Sequence, residues 1–246
     1  MWVARFALLA TGALALQVLA EEAPADSPAT PIEVLAAKKL AVNYSGGFYR
    51  YAKLVQTESR GSLQYAFAIY RRDGQPSPMR LLVSDGEREV EAPRRLGSLY
   101  TIPVDDEIAK AGGVLLFDRK STEIALGTGT FAPAGDIATL TYGQVKQSIA
   151  DYQKVRSALS FKERLLTAST PDYLICSTSD VAGVKIEAEG KEVATVPFKA
   201  AAERLQRMVR LPGLRCAEVP TDEGYPDLAR VVAPAQSTAL LQMYRF

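Results

Sequence analysis

The segment PDYLICSTSD (residues 171–180) predicts a buried strand that carries one of the two cysteines of the chain. The apolar run YLI precedes Cys176 and lies between Pro171 and a polar turn. Short apolar runs bounded by a proline and by turn-forming residues are typical of strands. Whether Cys176 is a reactive thiol or one half of a cross-link decides which functions remain open to the protein.

The N-terminus has the pattern of a secretory signal peptide over residues 1–20. A single positive charge, Arg5, precedes an uncharged and mainly apolar run that reaches Ala20. Val18 and Ala20 suit the small-residue positions before a signal-peptidase site, so we expect cleavage between Ala20 and Glu21. The alternative is a retained membrane anchor, but a spanning helix needs about 20 apolar residues and this run is shorter.

The two cysteines, Cys176 and Cys216, are predicted to form a structural disulfide. The chain contains no histidine, so a Cys–His nucleophile pair and every Ser–His–Asp arrangement are excluded. Export would carry the chain into an oxidising compartment, where paired thiols become disulfides. The alternative, two free thiols, would leave both open to oxidation there. A redox pair of the C-x-x-C kind would need the two cysteines close together in sequence.

The charge and hydropathy of the chain argue against nucleic-acid binding and against a membrane-spanning mature protein. The sequence has 29 Lys and Arg against 28 Asp and Glu, and removal of Arg5 with the signal peptide brings the net charge close to zero. A balanced charge gives no electrostatic basis for binding DNA or RNA. Because no second long apolar segment follows residue 20, we expect a soluble exported protein. The alanine content and the excess of arginine over lysine favour a bacterial source, and therefore the periplasm or further secretion.

Hydrophobic periodicity predicts an α+β fold in which antiparallel sheets carry helices on one face. Strands are indicated by alternating segments such as residues 63–72, and hairpins by acid-glycine turns. The turns are Asp85-Gly86 and Glu189-Gly190, and helices are predicted to begin near Pro31, Phe48, Val104, Thr141 and Phe198.

The chain is predicted to divide into a flexible linker (residues 21–31) and two α+β subdomains (residues 32–138 and 139–246). Both halves run in the order helix, strand, acid-glycine hairpin, strand ending in proline, short helix and strand, which favours a tandem duplication. The matched points are Tyr65 with Tyr173, Gly86 with Gly190, Pro103 with Pro197, and Val114 with Leu214. The alternative, that any α+β chain shows such an order by chance, stays open.

No residue is predicted to be catalytic, cofactor-binding or metal-ligating. The serine-nucleophile motifs S-x-x-K and G-x-S-x-G are missing from the sequence. With no histidine and two distant cysteines, a zinc site is not expected either. The glycines of ALGTGTF (residues 125–131) favour a bulge or turn in a strand over a phosphate loop, because no G-K-[ST] follows them.

Three clusters of charged residues are interpreted as ordinary solvated surface. The first cluster, Asp105, Asp106 and Glu107, lies at the start of a predicted helix, where the helix dipole favours acids. The second, Asp222, Glu223 and Asp227, lies in a loop that lacks the spacing of a calcium-binding loop. The third, Arg204, Arg207 and Arg210, lies on one helix face, where Glu203 is placed to pair with Arg207.

The preferred functional hypothesis is a non-catalytic binding or interaction module of a bacterial envelope, whose partner is another envelope protein or polymer. One alternative is an envelope hydrolase that uses paired carboxylates, for which Asp105, Asp106 and Glu107 are the best candidates. A second alternative is a structural envelope component. A hydrolase of this kind should hold two acids in one cleft and raise the pKa of one of them, whereas a binding module should show an exposed apolar patch or an open strand edge. The oligomeric state is left open.

Overall fold

The computed structural model describes residues 41–73, 79–119 and 123–242. The predicted signal peptide, its cleavage site and the predicted linker therefore lie outside the described residues. Within the described ranges the chain folds into antiparallel sheets and five α-helices, which confirms the predicted α+β class. Among these residues, no helix combines the length and the hydropathy needed to cross a bilayer.

The helices and strands are numbered here in chain order. The helices are α1 (Tyr49–Glu58), α2 (Asp106–Lys110), α3 (Tyr142–Ala158), α4 (Phe161–Leu166) and α5 (Glu203–Val209). The strands are β1 (Ala41–Asn43), β2 (Leu63–Arg71), β3 (Leu81–Ser84), β4 (Glu89–Glu91), β5 (Arg94–Leu96), β6 (Leu99–Thr101), β7 (Val114–Phe117), β8 (Ile124–Pro133), β9 (Asp172–Ser177), β10 (Gly183–Ala188), β11 (Lys191–Pro197), β12 (Lys199–Ala200), β13 (Arg215–Val219), β14 (Arg230–Val232) and β15 (Thr238–Gln242).

An eight-stranded antiparallel sheet organises the fold, with the strand order β12-β13-β9-β15-β8-β2-β6-β5. This sheet curls into a half-barrel. At one end the Thr238 hydroxyl on β15 donates to the carbonyl oxygen of Arg95 on β5 over 3.3 Å, although three strands separate β15 from β5 in the sheet. Two smaller sheets, β1-β7-β3-β4 and β11-β10-β14, complete the structure.

The segment that carries Cys176 forms β9, which lies inside the large sheet between β13 and β15. Cys176 and Cys216 are directly opposite on β9 and β13, and their Cα atoms are 4.1 Å apart. Their sulfur atoms are joined at 2.09 Å. The disulfide-bonded pair is compatible with an extracytoplasmic location.

The buried side chains form three clusters around the half-barrel. One cluster joins α3 and the three-stranded sheet to the face of β9 that carries Tyr173. A second lies between β2, the four-stranded sheet and α2, whose Ile108 is fully buried. The third places α5, through Leu205 and Val209, against the disulfide. The strand alternation of β9 separates the first cluster from the third, because successive side chains point to opposite faces.

Several local predictions from the sequence are confirmed. Thr141 and Gln144 form the predicted capping box at the start of α3. The acid-glycine pairs turn the β3–β4 and β10–β11 hairpins. The glycine-rich segment 125–131 lies within β8, whose pairing with β2 shifts register at a bulge. Gly129 is required there, because a Cβ at this position would lie 2.3 Å from the hydroxyl of Tyr65.

The helix predicted from Pro31, which was expected to run over residues 31–42, is wrong at its C-terminal end. Residues 31–40 lie outside the described residues, but Ala41–Asn43 form strand β1. Each of these three residues pairs with β7, from Ala41 opposite Leu116 to Asn43 opposite Val114. The pairing partner is more than 70 residues away along the chain, so local periodicity could not indicate it.

The tandem duplication is not confirmed. The eight-stranded sheet takes β2, β5, β6 and β8 from before residue 138 and β9, β12, β13 and β15 from after it. One matched pair of positions also leads into different sheets. Val114 begins β7 in the four-stranded sheet, whereas Leu214 directly precedes β13 in the large sheet.

Candidate functional site

A polar pocket of about 400 Å³ opens where the β5 edge of the curled sheet approaches β15. Four strands supply its walls: Gln64 comes from β2, Arg95 from β5, Thr101 from β6 and Thr238 from β15. We call this cavity the Arg95 pocket. Because the lining side chains come from strands far apart in sequence, only the curl of the sheet brings them together.

The Arg95 guanidinium lies half-buried in this pocket and contacts only neutral partners. Its Nε donates to the hydroxyl of Thr101 over 3.2 Å, and its Nη2 donates to the side-chain oxygen of Gln64. It forms no ion pair with any residue that the structure describes. Burial lowers the pKa of the Arg95 guanidinium, but an arginine stays protonated at neutral pH. Since a guanidinium carries five N–H donors, donors remain for an anionic group.

A short turn and a bulge position Arg95. The β5–β6 connection is the two-residue turn Gly97-Ser98, and Leu96 pairs with Leu99 across it. Gly97 has φ +53°, a left-handed conformation that favours glycine. The register then shifts between Arg94 and Leu96. A bulge of this kind redirects the side chain of the extra residue, and here that residue is Arg95.

A second polar group on the pocket wall is the hydroxyl of Ser237. Ser237 is 8% exposed, and its Oγ has no hydrogen-bond partner in the described part of the chain. A buried hydroxyl without a partner costs about 1–3 kcal/mol, so the Ser237 hydroxyl would gain from a polar ligand group. Arg94 and Asp136 also line the pocket and are exposed. Their charges cancel, which leaves the single positive charge of Arg95.

An adjoining cavity of about 440 Å³ shares Gly135, Ile137 and Ala239 with the Arg95 pocket. Tyr173 of β9 is fully buried at this cavity, and its hydroxyl is also without a partner among the described residues. Burial raises the pKa of Tyr173, and the positive charge of Arg95 acts in the opposite direction. The Tyr173 phenol is therefore a neutral, buried hydroxyl in the wall of this cavity.

The predicted acidic cluster at α2 is not an acid pair in one cleft. The Asp105 carboxylate caps α2 by accepting from the backbone N–H groups of residues 107 and 108. Asp106 bonds Lys53 at 2.8 Å and Tyr49 at 3.0 Å, and these two partners lower its pKa. Glu107 pairs with Arg88 instead. The three carboxylates thus have separate structural partners, so the sequence-based candidates for a hydrolase do not form an acid pair.

The loop acids and two of the three clustered arginines, Arg204 and Arg207, lie at the surface, as interpreted from the sequence. The third, Arg210, is half-buried, and its guanidinium packs over the ring of Tyr70. The loop acids Asp222, Glu223 and Asp227 are exposed, and Asp227 pairs with Lys146. Glu203 pairs with Arg207 at 3.7 Å, which confirms the expected i,i+4 contact. In the described ranges no group of three or more acids and cysteines is arranged to hold a metal ion.

A third cavity, of about 330 Å³, contains two carboxylates that were not predicted from the sequence. Asp172 lies on β9 and Glu218 on the neighbouring β13. Glu218 is opposite Leu174, two residues along the strand from Asp172, so both acids project from the same face of the sheet. Burial raises the pKa of Asp172. Lys199 lines the same pocket.

Sequence reasoning missed Arg95 because nothing local marks it. The residue lies in APRRLGSLY (residues 92–100) beside a second arginine, and arginines before a turn are usually solvated. Its burial depends on β15, which lies more than 140 residues further along the chain. The bulge that turns Arg95 inward has no distinctive sequence signal either.

Comparisons of this chain with protein-family models, with curated proteins and with solved structures find no match.

Proposed function

We propose that this chain is an exported, non-catalytic binding module of a bacterial envelope. In this proposal it enters the periplasm after cleavage between Ala20 and Glu21, and it binds another envelope protein or polymer through the Arg95 pocket. The group that it recognises is a carboxylate of the partner. The observation that carries the proposal is the half-buried Arg95 guanidinium, which has only neutral contacts within the described residues.

A carboxylate fits the Arg95 pocket better than a phosphate does, on grounds of charge. The guanidinium fork matches either group through two parallel hydrogen bonds. The pocket, however, carries one net positive charge, because Arg94 and Asp136 offset each other. A single charge balances a carboxylate monoanion, whereas a phosphate carries a charge of about −1.5 to −2 at neutral pH. The Ser237 hydroxyl supplies a neutral donor beside the cation.

The first test is a cross-linked pull-down of the native protein from its own cells, with bound proteins and glycans identified by mass spectrometry. We expect the wild type and an Arg80→Gln control to capture the same stoichiometric envelope partner, since Arg80 is exposed elsewhere on the surface. Arg95→Gln should lose that partner, and Arg95→Lys should retain part of the binding through charge alone. Equal capture by all four proteins would contradict the assignment of the pocket.

The chemistry of the ligand is tested directly by titration with acetate and with inorganic phosphate. NMR spectra of the arginine Nε–Hε groups should show a saturable shift for Arg95 with acetate and a weaker response to phosphate at equal ionic strength. Arg80 should show neither. A response of Arg95 that is linear in salt and equal to that of Arg80 would mean that the pocket does not bind anions.

A hydrolase remains the second candidate, now with Asp172 and Glu218 as its acids. The supporting observation is that these two carboxylates share a pocket and that burial raises the pKa of Asp172. Glu218 is exposed in the same pocket, so the two carboxylates would divide the acid and base roles between them. Release of reducing ends or of peptides from isolated envelope polymer, lost in both Asp172→Asn and Glu218→Gln, would favour this candidate over the binding module.

A further inference from the structure

Helix α4 presents three large apolar side chains to solvent. Phe161 is 68% exposed, and Leu165 and Leu166 are each 70% exposed. The other exposed large apolar residues of the described chain are isolated from one another in sequence. Three within six residues form a continuous patch, and such patches mark surfaces that bind a partner or a membrane. We call Phe161, Lys162, Arg164, Leu165 and Leu166 the α4 surface.

Two cations lie on the same arc of the helix as the apolar side chains. At about 100° per residue, Leu165 lies close to Phe161 on the helix surface, and Leu166 lies further round on one side. Lys162 falls between the two leucines, and Arg164 flanks Phe161 on the other side. Neither Lys162 nor Arg164 forms an ion pair with any residue in the described ranges. A third cation is close by, because the Arg156 guanidinium donates to the carbonyl oxygen of Arg164 over 3.2 Å.

The single acid of α4 faces away from this surface. The Glu163 carboxylate accepts hydrogen bonds from the Tyr51 hydroxyl on α1 and from the backbone N–H of Ser160, which is 2.8 Å away. These contacts tie the opposite side of α4 to the body of the protein. The outward arc of the helix is therefore composed of apolar and cationic side chains only.

We propose that the α4 surface binds the interface of an anionic lipid bilayer. Phe161, Leu165 and Leu166 would enter the boundary between headgroups and acyl chains, which is where the apolar face of an interfacial helix lies. Lys162 and Arg164 would remain among the lipid phosphates, to which basic residues beside a membrane surface are attracted. A second copy of this chain is a poorer partner, because two such surfaces face to face would oppose their cations.

The test is co-sedimentation of the protein, purified from its own cells, with vesicles of phosphatidylglycerol and phosphatidylcholine and with vesicles of phosphatidylcholine alone. We expect stronger binding to the anionic vesicles. Neutralising both cations (K162Q/R164Q) should weaken binding to anionic vesicles about five-fold for each charge removed and leave binding to phosphatidylcholine unchanged. Removing apolar contact (F161S/L165S) should weaken binding to both vesicles by about ten-fold or more.

The matched control is Leu228→Ser, the same kind of change at a leucine that is 87% exposed elsewhere on the surface. It should bind as the wild type does. Every variant keeps the same N-terminal region, so differences between variants report on α4. Circular dichroism melting checks that each variant is folded. Equal binding by the wild type, F161S/L165S and K162Q/R164Q would overturn the proposal, as would self-association of the wild type that F161S/L165S abolishes.

Discussion

Replacing Tyr173 by phenylalanine should stabilise the protein or leave its stability unchanged. The hydroxyl of Tyr173 is buried and has no hydrogen-bond partner in the described structure. A buried polar group in this state costs about 1–3 kcal/mol relative to a satisfied one. The Tyr173→Phe substitution removes the hydroxyl and keeps the ring in the core, so no contact of the ring is lost. We expect the free energy of unfolding to rise by up to about 1 kcal/mol.

Tyr44 provides the matched control for this prediction. Its ring is also fully buried, but its hydroxyl donates to the carbonyl oxygen of Pro103 over 2.8 Å and accepts from the backbone N–H of Asp105 over 3.0 Å. Tyr44→Phe leaves both backbone groups without this partner, and we expect a loss of about 1–3 kcal/mol. The two variants make the same chemical change, so their difference of about 1–4 kcal/mol reports on the hydroxyl environment alone.

The assay is urea unfolding followed by far-UV circular dichroism at neutral pH, with a common m-value for both variants and the wild type. A loss of stability for Tyr173→Phe as large as that for Tyr44→Phe would refute the reasoning, because it would mean that the Tyr173 hydroxyl is satisfied. The Arg95 pocket and the adjoining cavity that contains Tyr173 could bind a ligand as one site. In that case Tyr173→Phe should weaken binding of the partner captured in the pull-down, while the protein without its partner gains stability. Evolved sites show this exchange of stability for function.

Three further predictions concern stability. The C176A/C216A variant should lose about 4 kcal/mol of unfolding free energy, because the disulfide closes a loop of 40 residues in the unfolded chain. Adding a reductant should destabilise the wild type and leave the stability of this variant unchanged. Gly97→Ala should lower the free energy of unfolding by at least about 2 kcal/mol, because residue 97 has φ +53° and an added Cβ would lie 2.2 Å from the carbonyl oxygen at the end of α5. The control, Gly190→Ala, changes a glycine at φ +74° in open space and should lower it by only about 1 kcal/mol. Equal losses in the two variants would contradict the steric argument. Asp172→Asn should raise the melting temperature at neutral pH, because burial raises the pKa of Asp172 in the folded state. As pH rises through the ordinary carboxyl range, the folded state therefore binds more protons than the unfolded state, and the wild type loses stability. The stability advantage of Asp172→Asn should vanish below about pH 4, because the carboxyl group is then protonated in the unfolded state too.

The local elements were largely predictable because their signals are local. The apolar run before Cys176, the alternation of residues 63–72 and the spacing of Thr141 and Gln144 each depend on contacts within a few residues. Periodicity and capping residues record these contacts directly. The acid-glycine turns were predictable for the same reason, since a left-handed backbone needs particular residues at particular positions.

The pockets were not predictable, because they arise from contacts between distant segments. Arg95 is a buried cation only because the sheet curls until β15 reaches β5. Asp172 and Glu218 share a face only because β13 pairs with β9 in one register. A shift of that register by one residue would turn one of these acids to the other side of the sheet.

The sequence by itself therefore determined most of the strands, helices and turns, the cysteine pair, and the exclusion of histidine-dependent chemistry. Those properties follow from composition and from short-range backbone preference. Only the tertiary structure decided which sheet each strand joins, which charged side chains are buried, and which apolar side chains stay exposed on α4. These outcomes depend on packing free energy summed over contacts between segments far apart in the chain, and such contacts leave no local pattern in the sequence.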